Sequence, residues 1–162
     1  MFEKRKVAIY GGTIIDGLGG TEENMTVLIK EGRIEDIVVG RVCPEGYDYF
    51  SAEGKYIMPG MIEMHGHFYG RSSKPMRSQH DGYCPLYLAG GITTVRTPGE
   101  FEPDITIRWK DDIEKLKAVG PRIVSAGSYF DRNPSIVSWI EGSKSIDEIK
   151  SKYKNWRNKI DF

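Results

Sequence analysis

The sequence predicts an α/β chain: a wholly β stretch over residues 1–57, then a stretch over 58–162 in which strands alternate with helices. Three observations carry this reading. Up to residue 57, apolar residues come in short β-branched runs divided by glycine turns, with no 3.6-residue period. Beyond it the order is strand, helix, strand, helix, strand, helix, which implies parallel strands with right-handed crossovers. The clearest helix closes the chain. Ser145 and Glu148 form a capping box ahead of Ile146, Ile149, Tyr153, Trp156 and Ile160 at three- and four-residue steps.

In order, residues 6–10 and 13–15 read as two short strands around a Gly11-Gly12 turn. Residues 25–30 and 33–39 form a hairpin across Glu31-Gly32. Residues 43–51 read as loop, broken by Pro44 and Gly46. A strand then runs from Tyr56 past Pro59 to the histidines. Ser-rich residues 71–81 form a loop, 82–89 a short helix and 92–95 a strand. Residues 104–119 fit a helix with Ile113, Leu116 and Val119 on one stripe. Gly120-Pro121 stops it, residues 122–126 make the third strand, and 128–144 are loop.

Composition narrows the function classes. With 23 basic and 23 acidic residues the net charge is zero, which gives no footprint for nucleic acid or an anionic membrane. No apolar run nears the roughly 20 residues that span a bilayer. Nothing at the N-terminus resembles a secretory signal. Two cysteines make no disulfide framework, so a reducing cytoplasm is the simplest setting.

Two of the three histidines, His65 and His67, stand at i and i+2. On a strand, residues so spaced share a face about 6.6 Å apart, close enough to converge on one metal ion. The pair alone is weak, because His-x-His also arises as two polar residues at a strand rim. His80, Arg71 and Arg77 lie in the following loop, where an ordinary solvated position is the plainer reading. Asp16 reads as a turn residue, Cys84 as a core thiol, and Tyr129, Phe130, Trp139 and Trp156 as core or covering groups.

Five stretches together resemble the start of a metal-dependent amidohydrolase: residues 12–17, 27–34, 52–67, 91–96 and 120–127. The Gly120-Pro121-Arg122 piece is similar to the branch of imidazolonepropionase-like enzymes and Xaa-Pro dipeptidases. The resemblance implies β-sandwich strands followed by the first three β/α units of an incomplete (β/α)8 barrel, ending before strand 4. It implies His65 and His67 as ligands of the more buried of one or two metals, with zinc the best match to such ligands. Further ligands and the catalytic groups would come after residue 162. Three departures stand out: Glu63 and Thr97 where relatives often carry Asp, and Gly66 where a bulkier residue is common.

The implied chemistry is hydrolysis of a non-peptide C–N bond or a dipeptide amide in a small-molecule substrate by metal-activated water. The alternative is an inactive fragment that acts, if at all, as an interaction partner. On either reading the open sheet needs cover, from a C-terminal segment or from a homo-oligomer.

Overall fold

The computed structural model describes residues 5–69, 78–133, 135, 140 and 142–162. They belong to two units, Met1–Pro59 and Gly60–Phe162, each with its own sheet.

The first unit holds β1 (Lys6–Ile15), β2 (Thr21–Lys30), β3 (Arg33–Val39), β4 (Asp48–Ser51) and β5 (Tyr56–Ile57). Its sheet runs β3-β2-β1-β4, with β5 beside the far end of β1. The hairpin over Glu31-Gly32 is as predicted, and both residues have positive φ (53° and 72°), as a tight hairpin demands. The Gly11-Gly12 turn is not formed. Residues 6–15 are one strand whose register against β2 slips at Gly12, while Gly11 takes φ 75°. Glycine here makes a bulge rather than a reversal. The segment read as loop also contributes β4, which pairs parallel to β1.

The second unit holds β6 (Met61–Glu63), α1 (His80–Ala89), β7 (Ile92–Thr97), α2 (Pro103–Glu114), β8 (Arg122–Ser125) and α3 (Ile146–Trp156). Its three strands lie in the order β6-β7-β8, all parallel. The strand expected to run through Pro59 is split, with Tyr56–Ile57 in the first sheet and Met61–Glu63 in the second. Proline has no N–H for a ladder, so pairing stops there. Phe68, Cys84, Val95 and Ile123 form the buried centre, flanked by Tyr87, Trp109 and Ile113.

Two helices depart from their predicted stripes. α2 ends at Glu114, Leu116 takes φ 57°, and Leu116 and Val119 are exposed. In α3 Ile146 is exposed, while Ile149 and Trp156 are partly buried. The predicted N-cap is present: Ser145 Oγ accepts the Glu148 N–H at 3.2 Å. The Glu148 carboxylate takes the Lys144 N–H at 2.8 Å, one residue ahead of the capping-box position. Ser145→Ala is therefore expected to lower stability by about 1 kcal/mol in urea unfolding, with the slope unchanged.

Past α3 the chain returns to the sheet. Asp161 donates its N–H to the Ser125 carbonyl, and its carboxylate accepts the Ser125 N–H, each at 2.9 Å. The outer side of β8 is thus covered at Ser125 by Asp161.

Candidate metal centre

β6 stops at Glu63, so the histidines lie just past the strand rather than on its last turn of pleat. The chain bends at Met64 and His65, and the Gly66 N–H then donates to the Arg96 carbonyl of β7 at 3.0 Å. His65 and His67 consequently face each other, ring centroids 5.3 Å apart and planes at 82°. Two imidazoles sharing a tetrahedral ion at about 2.0–2.1 Å would have centroids roughly 5 Å apart. The observed spacing fits that requirement. Among the described residues no third His, Cys, Asp or Glu joins the pair, which supplies half of a four-coordinate set.

The two departures beside the pair have steric and hydrogen-bonding reasons. A Cβ on Gly66 would stand 2.7 Å from Val95 Cγ1 and 2.9 Å from the Tyr87 hydroxyl, so β7 and α1 leave room only for glycine. Glu63 Oε1 accepts the His65 N–H at 2.9 Å, which fixes the backbone at the first histidine.

His67 is held from three sides. Its Nδ1 lies 3.1 Å from the Gly99 carbonyl, so Nδ1–H donates there and Nε2 is left as the free lone pair. The Tyr129 hydroxyl reaches the same Nδ1 at 3.3 Å and meets the Tyr69 hydroxyl at 2.5 Å. The Tyr87 hydroxyl donates to the His67 carbonyl at 3.3 Å. Burial lowers the pKa of His67; the Gly99 hydrogen bond opposes that shift and His65 adds to it. The neutral ring that a metal ion needs is favoured. Burial, then the Tyr69 hydroxyl, raises the Tyr129 pKa, so its proton is retained.

Thr97 and Glu100 complete this layer. Both are fully buried, and the Thr97 hydroxyl donates to Glu100 Oε1. Burial pushes the Glu100 carboxyl up to about 7, against the pull of Thr97 and the Phe68 backbone. The loops after β7 and β8 and one face of α3 border a half-open cavity of about 390 Å³ lined by Glu100, Phe101, Ser128, Tyr129, Lys152 and Trp156. Sequence reasoning did not single out Glu100 and took Tyr129 for a core or covering group. Their position directly after strand ends was the available signal.

The other candidates separate from this cluster. His80 is the first residue of α1, 1% exposed, stacked between Phe68 (4.5 Å) and Trp109 (5.7 Å). Asp16 accepts the Leu18 and Gly20 N–H groups, as a turn residue does. Cys84 is in the core, and burial pushes its thiol up to about 11. Arg71, Arg77 and Trp139 lie outside the described residues.

No family model matches the chain. Over 97 residues it is 36% identical to a dihydroorotase of Trichlorobacter lovleyi, a match covering 60% of this chain and 23% of that protein. Over 117 residues it is 32% identical to a dihydroorotase of Caldanaerobacter subterraneus subsp. tengcongensis, covering 72% and 26%. A solved candidate prolidase from Bifidobacterium longum superposes with a TM-score of 0.79 at 25% identity, over 93% of this chain and 38% of that one. The chain spans about a quarter of the length of the curated relatives it matches.

Proposed function

We propose, for a chain that belongs to the metal-dependent amidohydrolase superfamily, that His65 and His67 hold a divalent cation and that the whole protein is a hydrolase. The observation that carries this is the 5.3 Å approach of the two rings, with His67 Nδ1 occupied by Gly99 and Nε2 left free. A bound cation, zinc by preference for imidazole, would polarise a substrate carbonyl and lower the pKa of water.

This chain's own residues prepare that site. Glu63 anchors the backbone at His65, Gly99 and Tyr129 orient His67, and burial keeps the ring neutral. The cavity beside Tyr129 gives a small substrate a place to lie. The bond cleaved would be a cyclic or non-peptide C–N bond, or a dipeptide amide. The likeness to a candidate prolidase favours the dipeptidase-like branch, and that to dihydroorotases favours a cyclic amide. The parallel strands β6, β7 and β8 would be the first three units of a (β/α)8 barrel, spanning residues 58–162, with residues 1–57 in the sandwich part. A cytoplasmic setting, and cover of the open sheet by further chain or a second copy, belong to the same proposal.

A second reading has one observation in its favour. Two imidazoles without further donors among the described residues suit an inactive interaction partner equally. Metal analysis after zinc loading and dialysis separates the two. In the whole protein the hydrolase reading expects about one or two ions per molecule, lost in His65→Asn and His67→Asn, together with turnover of Xaa-Pro dipeptides or a lactam. Equal zinc in wild type and both variants, with no hydrolysis of either substrate class, would reject it.

A further inference from the structure

We propose that Glu100 is a positioning residue for His67. It draws the Thr97 hydroxyl proton to itself, so that the Gly99 carbonyl is free to receive His67 Nδ1–H and Nε2 stays unprotonated. The proposal rests on the metal reading above for its purpose, but not for its geometry.

Thr97 has one hydroxyl hydrogen and two acceptors in reach. Gly99 O lies at 3.3 Å, while Glu100 Oε1 is at 2.5 Å and is the better acceptor. Thr97, Gly99 and Glu100 are all buried, so no bulk water takes over either role. The Gly99 carbonyl is therefore left to His67 Nδ1 at 3.1 Å. Without Glu100 the Thr97 hydroxyl would turn to Gly99 O, which can accept twice, so His67 would share that oxygen and its hydrogen bond would be weakened.

A competitor for His67 stands ready. The Tyr129 hydroxyl is 3.3 Å from Nδ1 and keeps its proton. If Tyr129 donates to Nδ1, the ring proton must sit on Nε2, and that nitrogen no longer offers a lone pair. The two arrangements differ only in which nitrogen carries one proton. Glu100, which reaches the ring only through Thr97 and Gly99, sets the balance. A Cβ on Gly99 would stand 2.4 Å from the Tyr129 ring, so this corner has no slack for the carbonyl to move aside.

The test reads the ring nitrogens of His67 by long-range ¹H–¹⁵N correlation in the ¹⁵N-labelled full chain. Chelator removes metal, and the pH is set above the imidazole range. With three histidines in the chain, His65→Gln and His80→Gln assign the signals. Wild type is expected to carry its proton on Nδ1. Glu100→Met should raise the Nε2–H to Nδ1–H ratio about tenfold, the effect of one hydrogen bond of ordinary strength. Glu100→Gln, which still accepts from Thr97, should match wild type. Thr97→Val should also match it, and should restore the Nδ1–H form in the Glu100→Met background. A merely structural role for Glu100 would not be rescued by removing a second polar group.

Glu100→Ala is made in parallel, so that whichever variant folds by circular dichroism decides the matter. A wild-type ring protonated on Nε2, or an unchanged ratio in the folded Glu100 variant, overturns the proposal. Zinc titration of wild type is scored separately. No binding with the Nδ1–H form intact removes the metal reading and leaves the positioning role standing.

Discussion

Phe68→Ala is expected to lower the stability of the second unit by about 3–5 kcal/mol, the largest single-site effect in the chain. Phe68 is fully buried, stacked on His80 at 4.5 Å and edge-on to Tyr87 at 5.8 Å. It closes the core on Cys84, Val95 and Ile123. Removing the ring forfeits its transfer free energy and leaves a void that rigid neighbours fill poorly. A typical domain has about 5–15 kcal/mol in all, so the variant stands near the edge of folding. All three tryptophans, 109, 139 and 156, belong to the second unit, so tryptophan fluorescence during urea unfolding reports it selectively. A loss below about 1 kcal/mol would show that the centre of the core lies elsewhere.

Acidification is expected to destabilise the fold through His80. Burial holds its pKa at about 4 against 6.5 for a free imidazole; Asp81 and Glu102 pull it up and Arg108 pushes it down. The unfolded chain therefore binds the proton first. His80's contribution is fully present above pH 6.5 and is lost progressively toward 4. The whole shift corresponds to about 3 kcal/mol. Its ring nitrogens find no hydrogen-bond partner among the described residues, so a charged ring would gain no hydrogen bond in place, and the pull of Asp81 and Glu102 does not make up for its burial. Glu100 works in the other direction. Its carboxyl, pushed up to about 7, favours the folded state below 4.5, and that support fades as pH rises to 7. The two slopes partly offset one another in between. Stability of wild type and His80→Gln measured from pH 4 to 7 isolates the histidine. The variant should lose the acid-side decline, and a parallel pair of curves would contradict the assignment.

The pair of histidines was legible from its spacing alone, and the two rings still meet although the strand ends before them. The surroundings of His67 were not. Gly99 and Tyr129 lie 32 and 62 residues away, and only the strand order β6-β7-β8 brings their loops to the ring. Thr97 illustrates the limit well. The resemblance implies an aspartate there, whereas the fold brings a carboxylate from Glu100 three residues on. β4 escaped notice because four exposed residues carry no alternation, and its pairing depends on β1. Gly11 was misread because a positive φ serves a bulge as readily as a turn.

The strand order of the first unit carries one more consequence. β3 is an outermost strand, and Ile34 and Val39 on it are 64% and 76% exposed. Such a rim invites strand addition between copies and, at high concentration, fibrillar aggregation. Arg33, Glu35 and Asp36 interrupt the apolar run and act as gatekeepers. Replacing Arg33, Glu35 and Asp36 by apolar residues is therefore expected to lower the solubility of the protein.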